Sequence, residues 1–153
     1  MPPPGGSIAE QMIPPSENTA TAMRGAVLLI DDEVPLLELF AEALEPHFEV
    51  VSVTNVHDAG FRLQQQPFKV IVADHLMPGG NGLNFLVQAR EEYPHTQRLL
   101  VTGYMKPEML LRSVNEAALY RYLLKPVSLP ELVKTVQEAA AVHDQAVAAA
   151  AQS

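Results

Sequence analysis

The stretch Ala26–Glu33 reads AVLLIDDE, five apolar residues followed directly by three acidic ones. A short continuous apolar run is typical of a strand that is buried on both faces, as in a parallel sheet covered by helices. A helix should follow, because Pro35 suits a first helical turn and apolar residues recur at helical spacing from Leu36 to Leu44. This part of the chain is therefore predicted to form a strand–helix unit whose strand ends in carboxylates.

The same unit recurs along the chain. Asn55 with Asp58, and Ser128 with Glu131, form capping boxes that predict where two further helices begin. Five strand–helix pairs in strict alternation predict an α/β fold, a doubly wound, five-stranded parallel sheet with helices on both faces and right-handed crossovers. The four further strands are predicted at Phe48–Val53, Val70–Ala73, Arg98–Val101 and Tyr120–Leu124.

The two ends of the chain lack this pattern. Residues 1–25 are rich in proline and show no periodicity, so we expect them to form a disordered tail. Residues 26–143 carry all five units and are predicted to form one domain. Residues 144–153 are rich in alanine and are expected to form a helix end or a tail.

Composition argues against several classes of function. The 153 residues contain no cysteine, which rules out thiolate metal sites and cysteine nucleophiles. The formal net charge of −8 opposes direct binding to nucleic-acid phosphates. No apolar run approaches the roughly 20 residues that a membrane helix needs, and the start of the sequence does not resemble a secretory signal. We therefore expect a cytoplasmic protein that binds neither nucleic acid nor membrane.

Polar residues follow the predicted strands at the points where the strands end. They are Asp31, Asp32, Asp74, Thr102 and Lys125. In open parallel sheets the binding crevice lies outside the carboxyl ends of the strands. The fold is therefore expected to bring these five side chains together.

The converging carboxylates need a positive charge among them, since two of them 4 Å apart repel by roughly 4 kcal/mol at an effective dielectric constant near 20. Mg²⁺ prefers hard oxygen ligands of this kind, and Lys125 is the other candidate cation. A metal and a lysine together can bind a phosphoryl group. Asp74 stands alone at its strand end, which makes it the best candidate for a carboxylate nucleophile that forms an acyl phosphate.

Four segments in this order and spacing resemble the receiver domain of bacterial two-component response regulators. They read LLIDDE at Leu28–Glu33, VADHLMPGGNG at Val72–Gly82, LVTGY at Leu100–Tyr104 and YLLKP at Tyr122–Pro126. The likeness covers about Ala26 to His143. It implies a flavodoxin-like sheet with strand order 2-1-3-4-5.

The resemblance implies a role for three of the strand-end residues. Asp74 matches the phosphoacceptor, which takes a phosphoryl group from the phosphohistidine of a sensor histidine kinase or a phosphotransfer protein. Thr102 and Lys125 match the hydroxyl and ammonium groups that bind the phosphoryl oxygens. The peptide bond between Lys125 and Pro126 is expected to be cis.

The resemblance also implies Mg²⁺ as the cofactor. Asp31 and Asp32 match the acidic pair that positions the ion, with Asp32 as the direct ligand. Asp74 and the backbone carbonyl of Leu76 match its other protein ligands.

A further implication is a switch rather than an enzyme. Tyr122 matches the aromatic residue that turns inward when the threonine moves toward the phosphoryl group. The protein would catalyse only its own phosphorylation and dephosphorylation, and phosphorylation would change the surface of the fourth and fifth strand–helix units. That surface would control a partner protein or an effector domain in a longer chain, with homodimerisation on activation left open. The segment Asn115–Lys125 resembles receivers joined to cyclic-dinucleotide phosphodiesterases or to ATP-dependent transcription activators.

Other interpretations compete with this one. Asp31 and Asp32 alone would suit a helix N-cap. A Mg²⁺-dependent phosphatase with an aspartyl-phosphate intermediate is the alternative function, but such enzymes carry Asp-x-Asp at the first strand and a cap domain. A nucleotide or flavin module is disfavoured because no glycine-rich loop follows the first strand.

Two further predictions concern residues near the crevice. His75 is expected at the surface beside the phosphorylation site rather than in a metal or proton-relay role. Tyr104 and Leu76 are bulky and flank the entrance, so we expect them to restrict the access of water to an acyl phosphate.

Overall fold

The structure is a computed structural model that describes residues 24–77, 80–103 and 106–152. Strands and helices alternate along these residues, with two short extra strands after the third. In chain order the elements are β1 (Ala26–Ile30), α1 (Val34–Leu44), β2 (Glu49–Val53), α2 (Val56–Gln65), β3 (Val70–Asp74), β4 (Leu76–Met77), β5 (Gly80–Asn81), α3 (Gly82–Glu92), β6 (Gln97–Thr102), α4 (Pro107–Ala117), β7 (Arg121–Leu124) and α5 (Leu129–Gln152).

The main sheet has five parallel strands in the order β2-β1-β3-β6-β7. This order confirms the predicted doubly wound sheet, with β6 and β7 as its fourth and fifth strands. Strands β1 and β3 lie side by side at the centre, and Ile30 pairs with Ala73. Each of these two residues is followed directly by an aspartate, Asp31 and Asp74. On the other side of β3, Asp74 pairs with Val101 of β6.

Each face of the sheet buries its own hydrophobic core. Along β1 the side chains alternate, so that Leu28 packs on one face and Leu29 on the other, and both are almost fully buried. Helices α2, α3 and α4 contribute to the first core, whereas α1 and α5 contribute to the second. Burial on both faces explains why the strands read as continuous apolar runs.

Both predicted capping boxes hold a helix start. The side chain of Asn55 accepts a hydrogen bond of 2.8 Å from the backbone amide of Asp58. In α5 the hydroxyl of Ser128 accepts one of 3.3 Å from the amide of Glu131. A third cap was not predicted: Asn81 accepts a 2.9 Å bond from the amide of Asn84 and begins α3.

Two short strands follow β3. Leu76 pairs with Asn81, and Met77 pairs with Gly80, as a small antiparallel hairpin. Two-residue strands are too short to give a period-two pattern, so the sequence could not distinguish this hairpin from a loop.

Residues near both ends of the described chain make side-chain contacts with the rest of the domain. Arg24 donates hydrogen bonds of 3.1 Å to the carbonyls of Glu45 and Pro46, so the folded part begins slightly before Ala26. Residues 1–23, which hold most of the expected tail, lie outside the described residues. At the other end α5 continues as helix to Gln152, and Asp144 forms a 3.0 Å ion pair with Lys69. None of the described helices is both long and apolar enough to cross a membrane.

Candidate functional site

Three carboxylates meet at the carboxyl ends of β1 and β3. One oxygen from each of Asp31, Asp32 and Asp74 lies within 4.8 Å of the others. Asp31 and Asp74 are buried, whereas Asp32 is exposed to solvent. The parallel pairing of β1 with β3 brings the carboxylates together, because both strands end at the same edge of the sheet.

Asp31 is fixed by the backbone around it. Its amide donates to the carbonyl of Val53 at 3.2 Å, and its Oδ1 accepts a hydrogen bond of 2.8 Å from the amide of Glu33. Burial raises the pKa of Asp31, and the charge of Asp74 adds to the rise, while the hydrogen bond from Glu33 opposes it. A nearby cation would therefore stabilise the ionised form of Asp31.

Lys125 supplies a positive charge at this edge of the sheet. Its Nζ lies 3.0 Å from Oδ1 of Asp74, 3.3 Å from Oε1 of Glu33 and 3.7 Å from Oδ2 of Asp31. Burial alone would lower the pKa of Lys125, but the hydrogen bond to Asp74 and the charges of the two aspartates outweigh burial and raise it. The ammonium group is therefore firmly charged and is bound to the lone carboxylate at the end of β3.

The backbone of Lys125 is held on the sheet as well. Its amide donates to the carbonyl of Thr102 at 2.9 Å, which continues the pairing of β6 with β7. The peptide bond between Lys125 and Pro126 is cis, as expected.

Glu33 is part of this cluster although sequence reasoning did not assign it to the site. It directly follows the acidic pair, so its position in AVLLIDDE could have suggested it. Its side chain is largely exposed, in contrast to the buried Asp31 and Asp74.

Gly82 allows the chain to pass close behind Asp74. A Cβ at position 82 would collide with the backbone carbonyl of Asp74. The amide of Gly82 donates to the carbonyl of His75 at 3.0 Å, which ties the start of α3 to the end of β3. A side chain at this position would push the phosphoacceptor candidate out of place.

The prediction that His75 lies at the surface is wrong. The residue is buried, and its Nδ1 has no hydrogen-bond partner among the described residues. Its amide bonds to the carbonyl of Val101 at 2.9 Å, so the chain follows β6 for one residue beyond Asp74 and remains inside the fold. Burial lowers the pKa of His75, and the charge of Asp74 only partly opposes this.

The remaining predicted residues differ in how deeply they are buried. Thr102 is buried at the end of β6. Tyr122 lies on β7 with 37% of its surface exposed, and Leu76 follows β3 with 70% exposed. Tyr104 lies outside the described residues, so its place at the entrance stays a prediction.

The donor set fits Mg²⁺. Three carboxylate oxygens within 4.8 Å of one another are the hard ligands this ion prefers. Asp32 is exposed, so the waters that Mg²⁺ retains have access to the group.

Comparisons with known proteins agree with this geometry. The family described as the response regulator receiver domain matches residues 27–137. The hydrogenase transcriptional regulatory protein HoxA of Cupriavidus necator is 36% identical over 116 residues, which is 76% of this chain and 24% of HoxA. This chain therefore spans about a quarter of the length of that relative.

Solved structures share the fold. The chemotaxis response regulator CheY4 of Vibrio cholerae superposes with a TM-score of 0.68 at 26% identity, covering 75% of this chain and 98% of CheY4. The signal receiver domain of an HD domain-containing protein from Pseudomonas fluorescens has a TM-score of 0.75 at 24% identity, covering 80% of this chain and 98% of that one, and supports the fold alone. With the family match over residues 27–137, these findings show that the chain belongs to the response regulator receiver domain family.

Proposed function

We propose that this chain accepts a phosphoryl group on Asp74 from the phosphohistidine of a sensor histidine kinase or a phosphotransfer protein. One observation carries the proposal: the buried carboxylate of Asp74 lies 3.0 Å from the ammonium of Lys125, within a three-carboxylate group that can hold a metal. The family supports a signalling role, and the chain would catalyse only its own phosphorylation and dephosphorylation.

In the proposed transfer a carboxylate oxygen of Asp74 attacks phosphorus, and the phosphorus–nitrogen bond of the donor phosphohistidine breaks. The electron pair of that bond stays on the imidazole nitrogen, which then takes up a proton from solvent. The product is an acyl phosphate on Asp74, which water later hydrolyses to restore the carboxylate and release inorganic phosphate.

Mg²⁺ would be held by Asp31, Asp32, Asp74 and the backbone carbonyl of Leu76. When bound, the ion would neutralise charge on the phosphoryl oxygens. The hydrogen bond from the amide of Glu33 to Oδ1 restrains the carboxylate of Asp31. Asp32, which is exposed, remains able to adjust to the ion and its waters.

Lys125 and Thr102 would bind the oxygens of the transferred phosphoryl group. The ammonium is already next to Asp74 at 3.0 Å, so a small movement of Nζ carries it from the carboxylate to the new phosphoryl oxygens. The carbonyl of Thr102 accepts a hydrogen bond from the amide of Lys125, which holds the backbone of Thr102 in register with β7. Its hydroxyl would move toward the phosphoryl oxygens.

The movement of Thr102 would be transmitted to the output surface. Tyr122 is exposed on the neighbouring strand, so in the activated protein it would turn inward as the threonine side chain moves. The surface formed by α4, β7 and α5 exposes large apolar side chains, among them Leu111 and Leu124. We propose that this surface binds the effector protein or effector domain, and that phosphorylation shifts the population between two packings of it.

The partners follow from this scheme. Residues 26–143 would act as the receiver of a longer signalling pathway in the cytoplasm. The relative HoxA is named a transcriptional regulatory protein, so an effector that controls transcription is the proposed class of output. The chain, with its formal net charge of −8, would not contact nucleic acid directly.

The experiment is to incubate the protein with Mg²⁺ and acetyl phosphate and to follow the intact mass. We expect one added phosphoryl group that is labile to base, requires Mg²⁺ and is absent in Asp74→Ala. Steady multiple turnover of a small phosphate ester that survives the Asp74→Ala change would contradict the proposal.

A further inference from the structure

Glu33 occupies an unusual place at the start of α1. It is the N-cap residue of the helix, and N-cap side chains commonly accept a hydrogen bond from an amide of the first turn. Glu33 makes no such side-chain bond. Its Oε1 lies instead 3.3 Å from Nζ of Lys125, across the crevice.

The backbone of Glu33 is fixed from both sides. Its amide donates to Oδ1 of Asp31 at 2.8 Å, and its carbonyl accepts from the amide of Leu37 at 3.0 Å. The residue is therefore placed jointly by the acidic pair and by α1. This placement keeps the carboxylate of Glu33 within reach of the lysine.

The carboxylates around Lys125 fall into two kinds. Asp74 and Asp31 belong to the group that can hold a metal, whereas Glu33 does not. Among the described residues, Glu33 is thus the one ion-pair partner of Lys125 that does not belong to the group that can hold a metal.

We propose that Glu33 is a positioning residue that competes with the metal-binding carboxylates for the ammonium of Lys125. This inference rests on the proposed function. A cation at 3.0 Å from Asp74 competes with Mg²⁺ for the same negative charge. Glu33 gives the ammonium another partner, so the metal displaces it from Asp74 at a lower cost in free energy.

The proposal predicts a coupling between Glu33 and Lys125 in metal affinity. In Glu33→Gln the close ionic partners that remain for Lys125 are the two metal-binding aspartates, so Lys125 competes more strongly with Mg²⁺. Because Glu33 is 60% exposed and water screens its charge, we expect Mg²⁺ affinity to fall by about two- to fivefold. In a Lys125→Gln background no ammonium competes with Mg²⁺. The Glu33→Gln change should therefore lower the Mg²⁺ affinity by a smaller factor there.

The experiment is a double-mutant cycle on the full chain, with Mg²⁺ affinity measured by calorimetry and by the shifts of backbone amide resonances. Glu38→Gln is the matched control, because Glu38 is exposed on α1 and forms no ion pair with a described residue. Amide spectra of each variant show whether it is folded. We expect a smaller factor for Glu33→Gln when Lys125 is absent, and no change for Glu38→Gln.

The outcomes separate this inference from the proposed function. Equal factors for Glu33→Gln in both backgrounds would mean that Glu33 acts on the metal directly, and would overturn the positioning role. Unchanged affinity in Glu33→Gln would overturn it as well. A wild-type chain that binds no Mg²⁺ would contradict the proposed function itself.

Discussion

The ammonium nitrogen of Lys125 lies 3.0 Å from Oδ1 of Asp74, although the two residues end different strands of the sheet. Strand β6 lies between those two strands, so the contact reaches across the end of β6 and does not join neighbouring strands. The pair joins the candidate phosphoacceptor to the strand that forms part of the proposed output surface. A change in the charge on Asp74 would therefore act on Lys125, which directly follows β7.

Asp31→Asn is expected to stabilise the metal-free protein. Asp31 is buried, its pKa is raised by burial and by the charge of Asp74, and the amide oxygen of Asn can still accept the hydrogen bond from Glu33. We expect the free energy of unfolding in urea to rise by about 1–2 kcal/mol without Mg²⁺. The stabilisation that Mg²⁺ gives the wild-type chain should be largely lost. A destabilised variant that Mg²⁺ still stabilises fully would be inconsistent with a metal site at Asp31.

Two glycines are expected to respond in opposite directions to alanine. In Gly82→Ala the new Cβ collides with the carbonyl of Asp74, which is backbone and cannot swing aside as a flexible side chain could, so we expect the free energy of unfolding to fall by about 2 kcal/mol or more. Gly60 lies within α2 and has open space where a Cβ would stand. Gly60→Ala should therefore stabilise the protein by about 0.5–1 kcal/mol. Urea unfolding of both variants measures the contrast, and equal effects would show that the chain does not pass close behind Asp74.

Arg98 is expected to be a major contributor to stability. Its guanidinium is buried and donates to the carbonyls of Ala117 at 2.7 Å and Ala118 at 3.2 Å, at the C-terminal end of α4. It also donates to the carbonyl of Thr96 at 2.7 Å, just before β6. Arg98→Met leaves these buried carbonyls without a donor and should cost about 2–4 kcal/mol.

Arg112 is the matched control for this change, because it is exposed on α4 and bonds to no described side chain or carbonyl. Arg112→Met should alter the free energy of unfolding by no more than about 0.5 kcal/mol. Thermal and urea unfolding would measure both, and a loss in Arg98→Met no larger than that of the control would rule out this role for Arg98.

The ion pair between Lys69 and Asp144 of α5 should contribute to the free energy of unfolding only above acidic pH. Burial alone would raise the pKa of Asp144, but hydrogen bonds from His143 and Lys69 outweigh it and lower the pKa from its ordinary 3.8. A lowered pKa means that the contribution is present above 3.8 and is lost as the pH falls through the lowered value.

We therefore expect Asp144→Asn to cost less than about 1 kcal/mol near neutral pH, because the Asp144 side chain is 53% exposed and water screens its charge. The difference from wild type should vanish in acid. Urea unfolding across this pH range tests the sign, and a difference that grows on acidification would refute the ion pair as its cause.

Much of the fold could be predicted because its signals are local and repeated. The apolar run Ala26–Ile30 and the capping pair Asn55 and Asp58 depend on neighbouring residues, and the structure shows both as expected. The meeting of Asp31 with Asp74 could also be predicted, since the rule for parallel sheets places all strand ends at one edge.

Other features depend on contacts between distant residues that leave no local pattern. The burial of His75 follows from pairing with β6, and the cross-crevice contact of Glu33 follows from where Lys125 comes to lie. Neither is visible in the residues next to it. The exposed position of Tyr122 agrees with strand alternation at a sheet edge, but its role as a switch stays a prediction.

The most direct test of the central claim is to locate the phosphoryl group. The protein would be treated with acetyl phosphate and Mg²⁺, reduced with borohydride, which converts an acyl phosphate of aspartate to homoserine, and mapped by peptide mass spectrometry. We predict homoserine at position 74 alone, no conversion when Mg²⁺ is chelated, and strongly reduced conversion in Lys125→Met. Conversion at another acidic residue with Asp74 intact, or none under any phosphodonor, would contradict the account.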